Sequence, residues 1–315
     1  MLNYRSIEDL ACAVRTNLHR IPAEVDVVVG IPRSGLLLAN IIALQLNLPL
    51  TDVEGFIERK TFGYGQSRLT DVTEVKLSTD HWRVALIVDD SVASGHSIEQ
   101  IKQRLAQSNL NTRVLYLSAY VLRNSRSLVD IYFEVVNMPR MFEWNVMHHP
   151  LLASCCVDFD GVLCKDPSDA ENDDGPRYRE FLLNAELMFR CTHSIGWIVT
   201  SRLEKYRPET EAWLHRNGIA YDNLIMLNIP DAATRRRLGV HASFKAEVFK
   251  RTGALLFIES EEEQARDIAR LSGKHALCIT TQRLYQPDLA SIAGLSEQGR
   301  FFLKRAARKV RRFFA

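Results

Sequence analysis

Short runs rich in Val, Ile and Leu alternate with helix-period segments along most of this sequence, and that alternation limits the fold more than any other feature. The runs are VDVVV (25–29), VALIV (84–88), RVLYLSAYV (113–121), LLASCCV (151–157), SIGWIV (194–199), NLIML (223–227), GALLFI (253–258) and HALCI (275–279). Strands this uniformly apolar belong in parallel sheets covered by helices on both faces. Helices are expected over 6–19, 35–47 and 97–107. The fold class is therefore α/β. The pattern breaks between Pro139 and Pro150 and then restarts, so two doubly wound parallel-sheet domains meeting near residue 150 are expected. A chain of 315 residues is long enough for two domains of roughly 150 residues, each with its own core.

Composition removes several classes. With 46% hydrophobic and 25% charged residues, 15 Gly and 10 Pro, the chain is neither disordered nor collagen-like. Residues 300–315 hold seven Lys and Arg and no acid, which leaves 33 basic against 38 acidic residues in 1–299. A mildly acidic body lacks the positive face of a nucleic-acid binder, so no nucleic-acid partner is expected. The six cysteines form no CxxC pair and read as reduced thiols. MLNYRSIEDL has no apolar core of a signal peptide, and Asn40, Gln45 and Asn47 interrupt the most apolar stretch, 34–50. A cytoplasmic protein without a membrane span is the expectation.

VALIVDDSVASGHS (84–97) is an apolar strand that ends in two carboxylates and passes through a small-residue loop into a helix. Backbone N–H groups in such a loop, together with the positive end of a helix dipole, capture anions, and small residues allow close approach. Carboxylates at the end of a strand in an open α/β sheet lie where ligands bind, and they accept hydrogen bonds from a pair of sugar hydroxyls. These residues resemble the PRPP-binding motif of type I phosphoribosyltransferases. The resemblance implies that Asp89 and Asp90 hold the ribose 2- and 3-hydroxyls, while Ala93, Ser94, Gly95, His96 and Ser97 cradle the 5-phosphate.

VVVGIPRSG (27–35) repeats the strand–loop–helix layout. By the same resemblance Gly30, Arg33, Ser34 and Gly35 bind diphosphate, with Arg33 offsetting the charge that develops on the leaving group. FIERKTFGYGQSRLTD (56–71), with Arg59, Lys60, Arg68, Gly63 and Gly65, looks like that family's loop closing over the donor, where Arg59 and Lys60 complete the diphosphate clamp. Several purine-salvage members carry an acid where this chain has Ala93, a departure that weakens a salvage assignment. MPRMFEWNVMHH (138–149) gathers Arg140, Glu143, Trp144 and Asn145, a mixture suited either to a sugar or to core packing. Glu54, Asp71 and Glu143 are candidates for the general base that a hydroxyl acceptor needs.

CCVDFDGVLCKDP (155–167) sets Asp158 at a strand end, with Asp160 two residues on and Gly161 in the turn. Phosphoryl transfer to a carboxylate needs a nucleophile, an acid/base and charge neutralisation. This segment resembles the first motif of haloacid-dehalogenase-superfamily phosphatases. The resemblance continues in order through Thr200 in WIVTSR, as phosphate binder, and Lys245 in HASFKAEVFK, with Lys250 in reserve. It ends in the acidic FIESEEEQA, with Glu259 and Glu263 and with Glu262 in reserve. It implies that Asp158, Asp160, Thr200 and Lys245 are catalytic, and that Asp158, Asp160, Glu259 and Glu263 hold Mg2+. That motif normally begins with Asp, so Glu259 has to reach the metal from a retracted backbone or through water.

About forty residues separate Asp158 from Thr200 and a similar number separate Thr200 from Lys245, leaving little or no cap over an open mouth. Capless members of that superfamily tend to act on large substrates. The tail GRFFLKRAARKVRRFFA aligns Leu303, Ala306, Ala307, Val310 and Phe314 on one face of a basic amphipathic helix, suited to peripheral contact with an anionic membrane.

Taken together, the motifs and their order are similar to dual-domain ribofuranosyltransferases of bacterial surface-polysaccharide assembly. The resemblance implies a glycan phosphoribosyltransferase domain over 1–150, a phosphoribosyl phosphatase domain over 151–285, and a linker with the basic helix over 286–315. PRPP is then the donor and a lipid-linked or growing glycan the acceptor, with Asp160 protonating the sugar oxygen that leaves phosphate. Two rival readings stand beside it: a nucleobase phosphoribosyltransferase joined to a nucleotidase, and a non-catalytic PRPP-binding regulator.

Overall fold

The computed structural model describes residues 2–62, 82–108 and 110–287. The expected loop residues Gly63, Gly65 and Arg68, the base candidate Asp71 and the basic C-terminal helix lie outside these residues. The chain forms two compact units that divide between Trp144 and Asn145.

The first unit contains β1 (Asn3–Arg5), α1 (Ile7–Asn17), β2 (Val27–Gly30), α2 (Ser34–Leu46), β3 (Leu50–Asp52) and α3 (Val53–Ile57). It continues with β4 (Val84–Val92), α4 (His96–Gln107), β5 (Arg113–Val121), β6 (Ile131–Val135) and β7 (Arg140–Phe142). Five parallel strands are ordered β3-β2-β4-β5-β6, and β1 pairs with β7 in a separate parallel ribbon. Alternate residues explain the sandwich. Val28, Leu86 and Val88 face a core shared with Leu10, Val14, Leu38 and Ile42, whereas Val27, Val29, Ala85 and Ile87 face Phe56, Trp82, Ile98 and Leu105. Helix α1 starts at a capping box in which the Ser6 hydroxyl accepts from the Asp9 amide and Asp9 accepts from the Ser6 amide. The strand order reverses between β2 and β4, which makes their carboxyl ends the natural crevice for a ligand.

The second unit contains β8 (Cys155–Val157), α5 (Pro176–Asn184), β9 (Ile195–Leu203), α6 (Arg207–Arg216), β10 (Tyr221–Leu227) and α7 (Ala232–Leu238). It continues with α8 (His241–Arg251), β11 (Leu256–Glu259), α9 (Glu262–Ser272), β12 (His275–Cys278) and β13 (Arg283–Tyr285). The order is β10-β9-β8-β11-β12-β13, parallel except for β13. Here the reversal falls between β8 and β11, and Asp158 follows the first while Glu259 ends the second.

The two doubly wound α/β units agree with the expected fold class, but the elements differ in detail. The run 151–157 is not one strand: Pro150–Ser154 is a 3-10 turn and only Cys155–Val157 pairs in the sheet. Strand β4 runs past the acid pair to Val92, and β9 runs past Thr200 to Leu203. Among the described residues no helix is long and apolar enough to cross a membrane.

Candidate functional site

Asp89 and Asp90 lie inside the last part of β4 and are buried. Asp90 is already occupied. Its Oδ1 accepts from the Ser34 hydroxyl at 2.7 Å and its Oδ2 accepts from the Trp144 indole N–H at 2.9 Å. Ser34, expected on the diphosphate, instead ties the loop after β2 to the end of β4. Burial, then the charge of Asp90, pushes the Asp89 carboxyl up to about 8, opposed by the Arg140 guanidinium. Arg140 is itself buried and faces both acids.

The loops around this acid pair have no room for side chains. A Cβ on Gly35 would lie 2.6 Å from the Val88 carbonyl oxygen, and a Cβ on Gly30 2.7 Å from Leu36. Gly95 adopts φ +79° and contributes no side-chain cap to α4. Ala93, Ser94, His96 and Ser97 are exposed, so the expected 5-phosphate loop is open to solvent at a helix start. Arg33 is also exposed, and Lys60 pairs with Glu58 at 2.8 Å on the surface. Arg59, between them in the sequence, stands at φ 55°.

Near the end of this unit the aromatic side chains of 138–149 join a stacked cluster. Trp144 stacks on Phe142 with centroids 4.9 Å apart and 5° between planes, and Tyr120 stacks on both. Glu143 accepts from the Ile7 amide at 2.7 Å and so caps α1, while Glu54 pairs with Arg104. Glu54 is thus held through both oxygens by Arg104, and Glu143 through its Oε2 by Ile7.

A pH dependence follows from Asp89. Its carboxyl lies above the usual carboxylate range in the fold, so its protonated form contributes stability that is complete below about pH 4 and is lost as pH rises through about 8. Asp89→Asn is expected to raise the melting temperature of the ligand-free protein at pH 8 by roughly 2–4 °C for each kcal/mol recovered, and to leave it little changed at pH 4. Thermal melts at the two pH values check this.

In the second unit a buried triad sits at the reversal of strand order. The Lys245 ammonium on α8 donates to Asp158 Oδ2 at 2.6 Å, to Glu259 Oε2 at 2.7 Å and to Gln264 Oε1 at 3.0 Å. Burial works to lower the Lys245 pKa, but the two carboxylates outweigh it and hold the ammonium above its ordinary value. Burial and the neighbouring Glu259 raise the Asp158 carboxyl against the pull of Lys245. One cation between two acids leaves one negative charge over, which a buried site meets with a proton or a further cation. Thr200, almost fully buried on β9, accepts from the Arg202 amide at 3.1 Å.

Arg202 was not anticipated from sequence. It is fully buried, stacks 3.7 Å from the Phe159 ring centroid, and holds both oxygens of Asp160 at 2.6–3.1 Å. Asp160 is thereby committed to a guanidinium. Glu263 is exposed on α9, and its neighbour Gln264 reaches Lys245 instead. Among the described residues no three His, Cys, Asp or Glu side chains gather to hold a metal ion. The expected set Asp158, Asp160, Glu259 and Glu263 does not fit Mg2+, because Lys245 lies between two of its members, Arg202 holds the third and the fourth faces solvent.

Of the reserve choices, Lys250 is exposed, and Glu262 accepts from the Tyr285 hydroxyl. The carboxyl of the solvent-exposed Asp166 is raised, first by partial desolvation and then by the charges of Asp160, Glu261 and Glu259. It borders an open cavity of about 480 Å3 that also meets Lys165, Arg177, Phe181 and Glu186.

Residues 3–151 match the family model of the phosphoribosyl transferase domain. The N-terminal part of the chain is a phosphoribosyltransferase-type domain. Among solved structures, the chain is similar to the xanthine-guanine-hypoxanthine phosphoribosyltransferase of Helicobacter pylori, at 17% identity over 46% of this chain and 93% of that one, with a TM-score of 0.34. It is similar to a purine phosphoribosyltransferase of Pyrococcus horikoshii, at 18% identity over 45% and 93%, with a TM-score of 0.34. A Pnkp1/Rnl/Hen1 complex matches 91% of this chain and 97% of its own at 14% identity, with a TM-score of 0.25. No curated protein matches the chain.

Proposed function

We propose that the chain performs two-step ribofuranosyl transfer: the first unit transfers 5-phosphoribose from PRPP to a glycan hydroxyl, and the second removes the 5-phosphate. The observation that carries this reading is the presence of two separate sites, each at a reversal of strand order, one in a phosphoribosyltransferase-type domain and one with a buried Asp158–Lys245–Glu259 triad.

In the first step the donor arrives as magnesium–PRPP, the metal being part of the substrate. The open 93–97 loop and the start of α4 receive the 5-phosphate. Asp89 takes a ribose hydroxyl, and Asp90, held by Ser34 and Trp144, keeps the acid pair in place. Arg33, Arg59 and Lys60 balance charge on the departing diphosphate. In the second step an Asp158 oxygen attacks phosphorus, the bond from phosphorus to the sugar oxygen breaks, and water then hydrolyses the aspartyl phosphate. Asp160 has to leave Arg202 before it protonates that oxygen.

Ala93, where an acid would assist nucleobase chemistry, favours a glycan acceptor over a nucleobase. The test is incubation with magnesium, PRPP and a lipid-linked or synthetic glycan, read by mass spectrometry. Pentose without phosphate on the glycan is the expected product. Consumption of a purine or of uracil would support the nucleobase reading, and PRPP binding without turnover would support the regulator.

A further inference from the structure

Two polar groups at the carboxyl end of the second sheet have no partner. Arg235 on α7 is 9% exposed, and its Nη1 donates to the Ser201 carbonyl at 2.9 Å, yet its Nε is buried without an acceptor. The Ser201 hydroxyl, on a residue also 9% exposed, is buried and unpartnered too. Leaving a buried donor unmet is costly, and more so for a charged one. The other buried cations here are matched: Lys245 has Asp158 and Glu259, and Arg202 has Asp160. Arg235 makes no such ion pair among the described residues.

The position of these groups says what they fit. Ser201 lies between Thr200 and Arg202 in the part of β9 that runs past the end of β8, at the same end of the sheet where Asp158 follows β8. The charges of both Arg235 and Lys245 reach His241 at the start of α8, and burial together with those two charges lowers its imidazole to about 4. An oxyanion with several acceptor oxygens satisfies a guanidinium N–H and a hydroxyl together, and it supplies the missing counter-charge.

We propose that Arg235 and Ser201 form a phosphate-gripping subsite of the second unit, taking the terminal phosphate monoester of a sugar. This deepens the phosphatase reading and rests on it for the identity of the substrate.

The experiment uses the full chain with two probes, inorganic phosphate binding by calorimetry and hydrolysis of ribose 5-phosphate. Arg235→Gln is expected to weaken phosphate binding and to raise KM roughly tenfold to hundredfold with a smaller change in kcat. Arg235→Lys should recover part of the loss, and Ser201→Ala should weaken binding several-fold. Should Arg235→Gln fail to fold, Ser201→Ala and Arg235→Lys carry the test. Unchanged phosphate binding in the folded variants, with wild type binding phosphate and Asp158→Asn inactive, overturns the subsite and leaves the phosphatase reading standing. Phosphate binding that depends on Arg235 and Ser201, with hydrolysis that does not need Asp158, upholds the subsite and overturns that reading. Wild type that neither binds phosphate nor hydrolyses the ester overturns both.

Discussion

Asp158→Asn is expected to fold normally and to lose at least ~10^4-fold of its phosphate-releasing activity, while phosphoribose accumulates on the acceptor. The side chain is isosteric, so packing around β8 is preserved. Electrostatically the change is mild or favourable, since it removes the excess negative charge and leaves Lys245 matched to Glu259 at 2.7 Å. Chemically it is severe, because an amide oxygen does not form the aspartyl phosphate. Activity and stability should therefore separate: orthophosphate release collapses, the melting temperature does not fall, and diphosphate release from PRPP continues. A parallel loss of diphosphate release would mean that Asp158 serves the first reaction.

Lys245→Met should have the opposite profile, with a large loss of stability. Methionine matches the length of lysine but leaves Asp158 and Glu259 buried without their shared cation. Breaking a buried ion pair by removing one partner costs about 3–5 kcal/mol, which for a unit of this size corresponds to roughly 6–20 °C in melting temperature. The sign of the pH dependence follows from the two acids. Stripped of the ammonium, their folded-state pKa values lie above the unfolded ones, so the variant is relatively stable at low pH and loses stability as pH rises. Melts at pH 5 and pH 8 should show the smaller deficit at pH 5. An equal deficit at both would point to packing alone.

The sequence carried the architecture because apolar runs between helix-period segments have few other solutions, and because strand ends mark the ligand side of an open α/β sheet. Asp89, Asp90, Asp158 and Glu259 stand at or just past strand ends for that reason, whereas Lys245 lies on α8 and was picked out only through the resemblance. Their partners were not. Ser34 and Trp144 meet at Asp90 from opposite sides of it in the sequence, and no local spacing reports such a contact. Glu263 and Gln264 differ by one position at the start of α9, where a single step rotates a side chain by about 100°; motif spacing located the helix but not its phase. Arg202 sits one residue beyond Ser201 in the extension of β9, which the apolar run ending at 199 did not foretell. The short strands β3, β6 and β13 lie at sheet edges or carry mixed polarity, so their pairing depends on neighbours and not on their own pattern.

The central claim is that one pentose is first attached and then relieved of its phosphate by the same chain. Measuring diphosphate and orthophosphate release together, with magnesium–PRPP and the glycan acceptor, tests it most directly. Equal final amounts of the two are expected, both dependent on the glycan. Diphosphate release without orthophosphate, with phosphate retained on the acceptor in wild type, would contradict it.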